Sequence, residues 1–94
     1  MLYHYEFFER NPDGDPMALS WATTNEPLQG IEAGKDYILS QDVPRGGATE
    51  KVVTLYRVED AVFGAGLSGQ NSFQLTRVYL RRLRELTPFA TPNK

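Results

Sequence analysis

From Leu2 to Arg10 the chain alternates, with Tyr3, Tyr5 and Phe7 on one side and His4, Glu6 and Phe8 on the other. A period of two is that of a half-buried strand. The cluster NPDGDP, residues 11–16, suits a reversal of the chain. MALSWATT then alternates again, with Met17, Leu19, Trp21 and Thr23 opposite Ala18, Ser20, Ala22 and Thr24. The two segments predict a hairpin.

NEPLQGIEAGK breaks the pattern, since Pro27 removes a donor and Gly30 and Gly34 punctuate it; it reads as a loop before a short strand, DYILSQ. DVPRGGAT, with Pro44 and the pair Gly46-Gly47, reads as a second loop. EKVVTLYRVED is rich in β-branched and aromatic residues, placing Val52, Thr54, Tyr56 and Val58 on one face and Val53 and Leu55 on the other. Its first half looks buried on both sides.

NSFQLTRVYLRRLREL admits two periods. As a helix it gathers Leu75, Val78, Tyr79, Leu83 and Leu86 on one face and Arg77, Arg81 and Arg84 on another. As a strand it sets Phe73, Leu75 and Tyr79 against Val78 and Leu80, and the preceding strand and glycine-rich connection favour a hairpin that runs through about Leu80 and turns helical afterwards. The expectation is a mainly β domain over residues 1–87: a small five-stranded antiparallel barrel or strongly bent sheet, SH3-like or OB-like in shape. The alternative is an α+β fold with a C-terminal helix over residues 72–86. The tail, residues 88–94, which carries Pro88 and Pro92, is expected to be flexible.

Composition narrows the chemistry. Ninety-four residues make one domain, and 40% hydrophobic with 23% charged residues is ordinary for a globular chain. Without cysteine there is no disulfide, no thiolate metal site and no thiol nucleophile. No apolar run has the length of a signal peptide or a membrane span, so the expectation is a cytoplasmic protein with no membrane partner. The net charge of −2 is unevenly spread: residues 1–42 hold eight acids against two bases, giving −6, and residues 43–94 hold four acids against eight bases, giving +4. Such a split either drives association of opposite faces or vanishes when acidic and basic strands interleave.

GAGLSG, residues 64–69, matches the G-x-G-x-x-G of dinucleotide-binding folds. That unit needs a helix, a second parallel strand and an acid for the ribose, and too little chain follows Leu86 to supply them. Gly64, Gly66 and Gly69 therefore read as a hairpin connection, taking positive φ or relieving crowding, and as a candidate loop beside a barrel-mouth pocket with Trp21. Asn11, Asp13 and Asp15 alternate like the start of a calcium loop, but Pro16 and Ala22 stand where such a loop needs Gly and Glu. His4 is the only histidine, with Glu6 on the same strand face, and no G-x-S-x-G is present. Glu59 and Asp60, as sequence neighbours, are expected on opposite faces. No catalytic residue, metal site or cofactor is assigned.

The remaining candidates are Arg77, Arg81, Arg82 and Arg84 with Tyr79 between them. Guanidinium groups bind phosphates or carboxylates and an adjacent aromatic can stack on a base, which suits either a protein contact or a nucleic-acid contact. The reading is a non-catalytic module for protein–protein interaction or self-association, expected as a homodimer. The alternatives are a nucleic-acid-binding barrel using those arginines, and a small-molecule site at the barrel mouth.

Overall fold

A computed structural model of the chain describes residues 2–69 and 71–86, all strand and connection with no helix among them. Five strands follow in order: β1 (Leu2–Glu9), β2 (Met17–Thr24), β3 (Asp36–Arg45), β4 (Ala48–Ser68) and β5 (Asn71–Glu85). They form one sheet in the spatial order β2-β1-β5-β4-β3, curled through 236° into a half-barrel. The expected mainly β, strongly bent sheet is the one observed. It is mixed rather than purely antiparallel, because β1 lies parallel to β5, from Leu2 opposite Phe73 to Glu9 opposite Leu80. The tail, residues 88–94, lies outside the described residues.

The helix alternative fails for a physical reason. β5 stays extended to Glu85 because it pairs with β4 along almost its whole length, from Ser68 opposite Asn71 to Thr54 opposite Glu85. Its two neighbours bury Thr76, Val78 and Leu80 on one face, the period of two. The loop expected over DVPRGGAT shrinks to a two-residue turn. Gly46 and Gly47 both take positive φ, 58° and 82°, the conformation a tight hairpin requires and only glycine adopts cheaply. β3 thereby continues to Arg45, and Pro44 is tolerated because β3 is an edge strand.

Inside the curl, Tyr5 and Phe7 of β1, Tyr56 and Val58 of β4, and Val78 and Leu80 of β5 form the buried core. Leu19, Leu28, Ile31, Tyr37 and Leu39 pack against it from β2, the β2–β3 loop and β3. Phe7 stacks on Tyr5 and on Tyr37, with ring centroids 6.4 and 5.8 Å apart. The second contact joins β1 to β3, which are not sheet neighbours, so it holds the curl. Two polar contacts close it further. The Leu28 N–H donates to the Tyr5 hydroxyl at 2.9 Å, tying the loop down, and Gln41 Nε2 of β3 donates to the Leu19 carbonyl of β2 at 3.0 Å, bridging the two ends of the sheet. The first half of β4 is buried on both faces as expected, with Val52, Val53 and Thr54 all enclosed; the Leu86 N–H donates to the Val53 carbonyl.

Burial also pushes two phenols up. Tyr37 is raised by burial first and then by Tyr5. Tyr56 is raised by burial and by Glu9, while Arg82 and a hydrogen bond with Thr54 pull the other way. An unfolded tyrosine loses its proton near pH 10, before these native phenols do, so the unfolded chain binds fewer protons in that window. Stability is therefore expected to be insensitive to these groups below about pH 10 and to fall as pH rises through the native values. Urea midpoints measured alongside phenolate absorbance test this: a midpoint that stays flat to about pH 11.5 contradicts it.

Candidate functional site

The convex face of the sheet carries the side chains that alternate away from the core. On β1 these are His4, Glu6 and Phe8, and on β5 Arg77, Tyr79 and Arg81. Parallel pairing sets Glu6 opposite Arg77 and Phe8 opposite Tyr79. The guanidinium of Arg77 donates through Nε to Glu6 Oε1 at 2.9 Å, and its Cζ lies 5.5 Å from the Phe8 ring centroid. Hydrogen bonds to Glu6 and then to Tyr79 hold its proton more firmly than in a free arginine. Phe8 and Tyr79 stack at 5.5 Å, and Arg10 lies over the Tyr79 ring at 4.7 Å. Two aromatic rings thus sit between two arginines.

Arg10 also reaches Glu59 at 3.7 Å and Asp60 at 4.0 Å, and Arg81 reaches Glu59 at 3.5 Å. The expectation that Glu59 and Asp60 point to opposite faces is corrected here. A β-bulge between Val58 and Asp60 inserts Glu59 as an extra residue, and both carboxylates come within reach of one guanidinium.

The arginine row therefore does not form a single open patch. Arg77 and Arg81 lie on the convex face, each with a carboxylate. Arg82 is opposite Tyr56, on the concave side, and lies 3.5 Å from Glu85. Arg84 is exposed opposite Leu55, with no ion pair among the described residues. The acidic and basic halves of the sequence interleave in space, Glu6 with Arg77, Asp36 with Arg57 at 2.8 Å, and Asp42 with Lys51 at 3.3 Å. Exposed pairs of this kind contribute little to stability, but setting acids beside bases weakens the field that would gather a polyanion.

Trp21 and the glycines do not meet. Trp21 is on edge strand β2, opposite Glu6, whereas Gly64 and Gly66 are on β4, opposite Leu75 and Phe73; β1 and β5 lie between. Trp21 is 70% exposed and faces outward although Leu19, two residues before it, faces the core. A bulge between Phe7 and Phe8, where Leu19 is the extra residue of β2, breaks the alternation and turns the indole to the convex side. Its ring lies 5.8 Å from His4, which lies 5.8 Å from Phe73. His4 Nδ1 is 2.9 Å from Thr23 Oγ1 and Nε2 is 3.4 Å from Glu6 Oε2, while Glu6 is also held by Arg77. A shallow depression of about 330 Å³ is lined by His4, Glu6, Ala18, Ser20 and Trp21.

The three glycines of GAGLSG do different things. Gly66 lies beneath the Phe73 ring, so a Cβ there meets the ring atoms. Gly69 takes φ 61° in the β4–β5 turn, and Gly64 has open space where its Cβ would be. A strand continues where a dinucleotide fold needs a helix, as expected of a hairpin. Among the described residues no group of three or more His, Cys, Asp or Glu could hold a metal ion, and no helix is long and apolar enough to cross a membrane.

Phe8, Arg10 and Phe73 belong to this face but do not stand out in the sequence. Phe8 had one signal, a large apolar residue on the polar side of an alternating strand. Comparison with protein-family models, curated proteins and solved structures finds no match for this chain.

Proposed function

We propose that this protein is a non-catalytic, cytoplasmic protein-binding module that self-associates as a homodimer without a cofactor. One observation carries the reading. Trp21, Phe63 and Leu67 are exposed at 70, 62 and 81%, while Arg77, Arg81 and Arg82 each have a carboxylate partner. Large apolar side chains left in water on a molecule in which three of the four β5 arginines are already paired favour a protein contact over a phosphate contact. A core that needs no disulfide suits a reducing compartment.

Light-scattering mass across a concentration series, with anisotropy of labelled single- and double-stranded oligonucleotides in the same buffers, tests the reading. The expected result is a mass that rises toward two copies between about micromolar and about millimolar protein, and no oligonucleotide binding even at low salt. A constant monomer mass with oligonucleotide affinity that falls log-linearly with salt overturns it and favours a nucleic-acid surface at Arg81, Arg82 and Arg84.

A further inference from the structure

β4 is much longer than β3. Their pairing ends at Arg57 opposite Asp36, and the loop continues it only as far as Val58, whose N–H donates to the Lys35 carbonyl and whose carbonyl accepts from the Gly34 N–H. Beyond that point β4 has β5 on one side and, among the described residues, no strand on the other. The direction of its backbone groups follows from Leu80, whose carbonyl accepts from the Arg10 N–H and so points away from β4. Leu80 pairs with Val58, and its alternate residues Val78, Thr76, Gln74 and Ser72 pair with Ala61, Phe63, Ala65 and Leu67. The backbone groups of those four β4 residues therefore point outward, at an edge that is bare except at Ala61, whose N–H donates to Asp60 Oδ1 at 2.9 Å.

The other two edges of the sheet are managed. β2 and β3 do not pair with each other, but Gln41 on the Leu19 carbonyl and the core side chains Leu19, Tyr37 and Leu39 span the open side of the half-barrel between them. The segment Ala61–Leu67 has no charge, no proline and no bulge, the devices that normally blunt an edge.

The geometry points to this edge as a homodimer interface, in which Ala61–Leu67 pairs antiparallel with the same segment of a second copy about a two-fold axis at Gly64. The inference rests on the self-association reading above and assigns it a surface. The sequence AVFGAGL is complementary to its own reverse in size. Pairing about Gly64 sets Ala61 against Leu67, Val62 against Gly66, Phe63 against Ala65 and Gly64 against Gly64, so every large side chain faces a small one. The same register matches the four outward-facing residues of one copy with those of the other. Shifting it by two sets Phe63 against Phe63 or against Leu67. A parallel pairing sets the acids Glu59 and Asp60 of both copies side by side, whereas the antiparallel one carries them to opposite ends. Val62 shares the convex face with Phe73, whose ring covers Gly66, so the partner's Val62 packs beside that ring. An interface of one strand per copy is at the low end of specific contacts, below about 1,200 Å², and predicts a dimer in exchange with monomer.

Gly64 gives the test, because a Cβ there meets open space and its φ is not positive, so substitution spares the hairpin. Gly64→Lys and Gly64→Asp each set two like charges across the axis. Sedimentation velocity is expected to show each variant alone with a dissociation constant raised at least about tenfold, and an equimolar mixture recovering a mass of two copies. Ala65→Pro, which removes an outward N–H and leaves the β4–β5 ladder intact, is expected to do the same, with the far-ultraviolet sheet signal retained. A wild-type dimer whose mass none of the three changes overturns this interface and leaves self-association standing. A wild-type chain that stays monomeric overturns both.

Discussion

Phe7→Ala is expected to cost about 3–5 kcal/mol of folding stability, the loss typical of a buried phenylalanine whose site cannot collapse. Phe7 is 3% exposed and lies between Tyr5 on its own strand and Tyr37 on β3. Tyr37 belongs to the far edge strand, so the cavity opens where the curl is held. A domain of this size has a total stability near about 5–10 kcal/mol, and the variant is expected to be partly unfolded at physiological temperature. Urea denaturation measures it as a lower midpoint with an unchanged slope. A loss under about 1 kcal/mol means that the Phe7–Tyr37 contact does not hold the half-barrel.

Tyr5→Phe is expected to cost about 1–3 kcal/mol, because it leaves the ring in the core and removes only the acceptor of the Leu28 N–H. The loop from Asn25 to Lys35 carries Leu28 and Ile31 into the core and has few other anchors: the Thr24 hydroxyl donating to the Glu26 carbonyl and the two hydrogen bonds at Val58. Amide exchange should therefore accelerate at Leu28 and its neighbours more than at Val78 or Leu80. Uniform acceleration, or none, contradicts the assignment of that hydroxyl as the tie between loop and sheet.

Both predictions act on contacts between strands distant in sequence, and there the alternation pattern loses its power. Tyr3, Tyr5 and Phe7 facing inward were legible, as were the double-sided burial of Val52 to Thr54, the positive φ of Gly69 in the β4–β5 turn and the crowding at Gly66, whereas Gly64 lies within β4 and does neither. Trp21 was legible as a strand residue but not as a convex-face residue, since one inserted residue at Leu19 reverses every side chain beyond it. The arginines of β5 looked like a cluster because they are close in sequence. In space Arg82 faces the concave side, and Arg77 and Arg81 meet acids from β1 and from the β4 bulge. The stack of Phe8 on Tyr79 escaped notice for the same reason, as the two rings meet only because β1 runs parallel to β5.

By itself the sequence determined which side of most strands is apolar and where the chain must turn. Each follows from local sterics and a period of two, which a run of neighbouring residues expresses in full. Only the tertiary structure decided which strand lies beside which. Placing β1 next to β5 sets Glu6 beside Arg77, and ending β3 at Asp36 leaves one side of Ala61–Leu67 without a strand among the described residues. Those are long-range choices, made by the burial of Phe7, Tyr56 and Leu80 in one curled sheet, and a period of two states the face of a residue but never its partner.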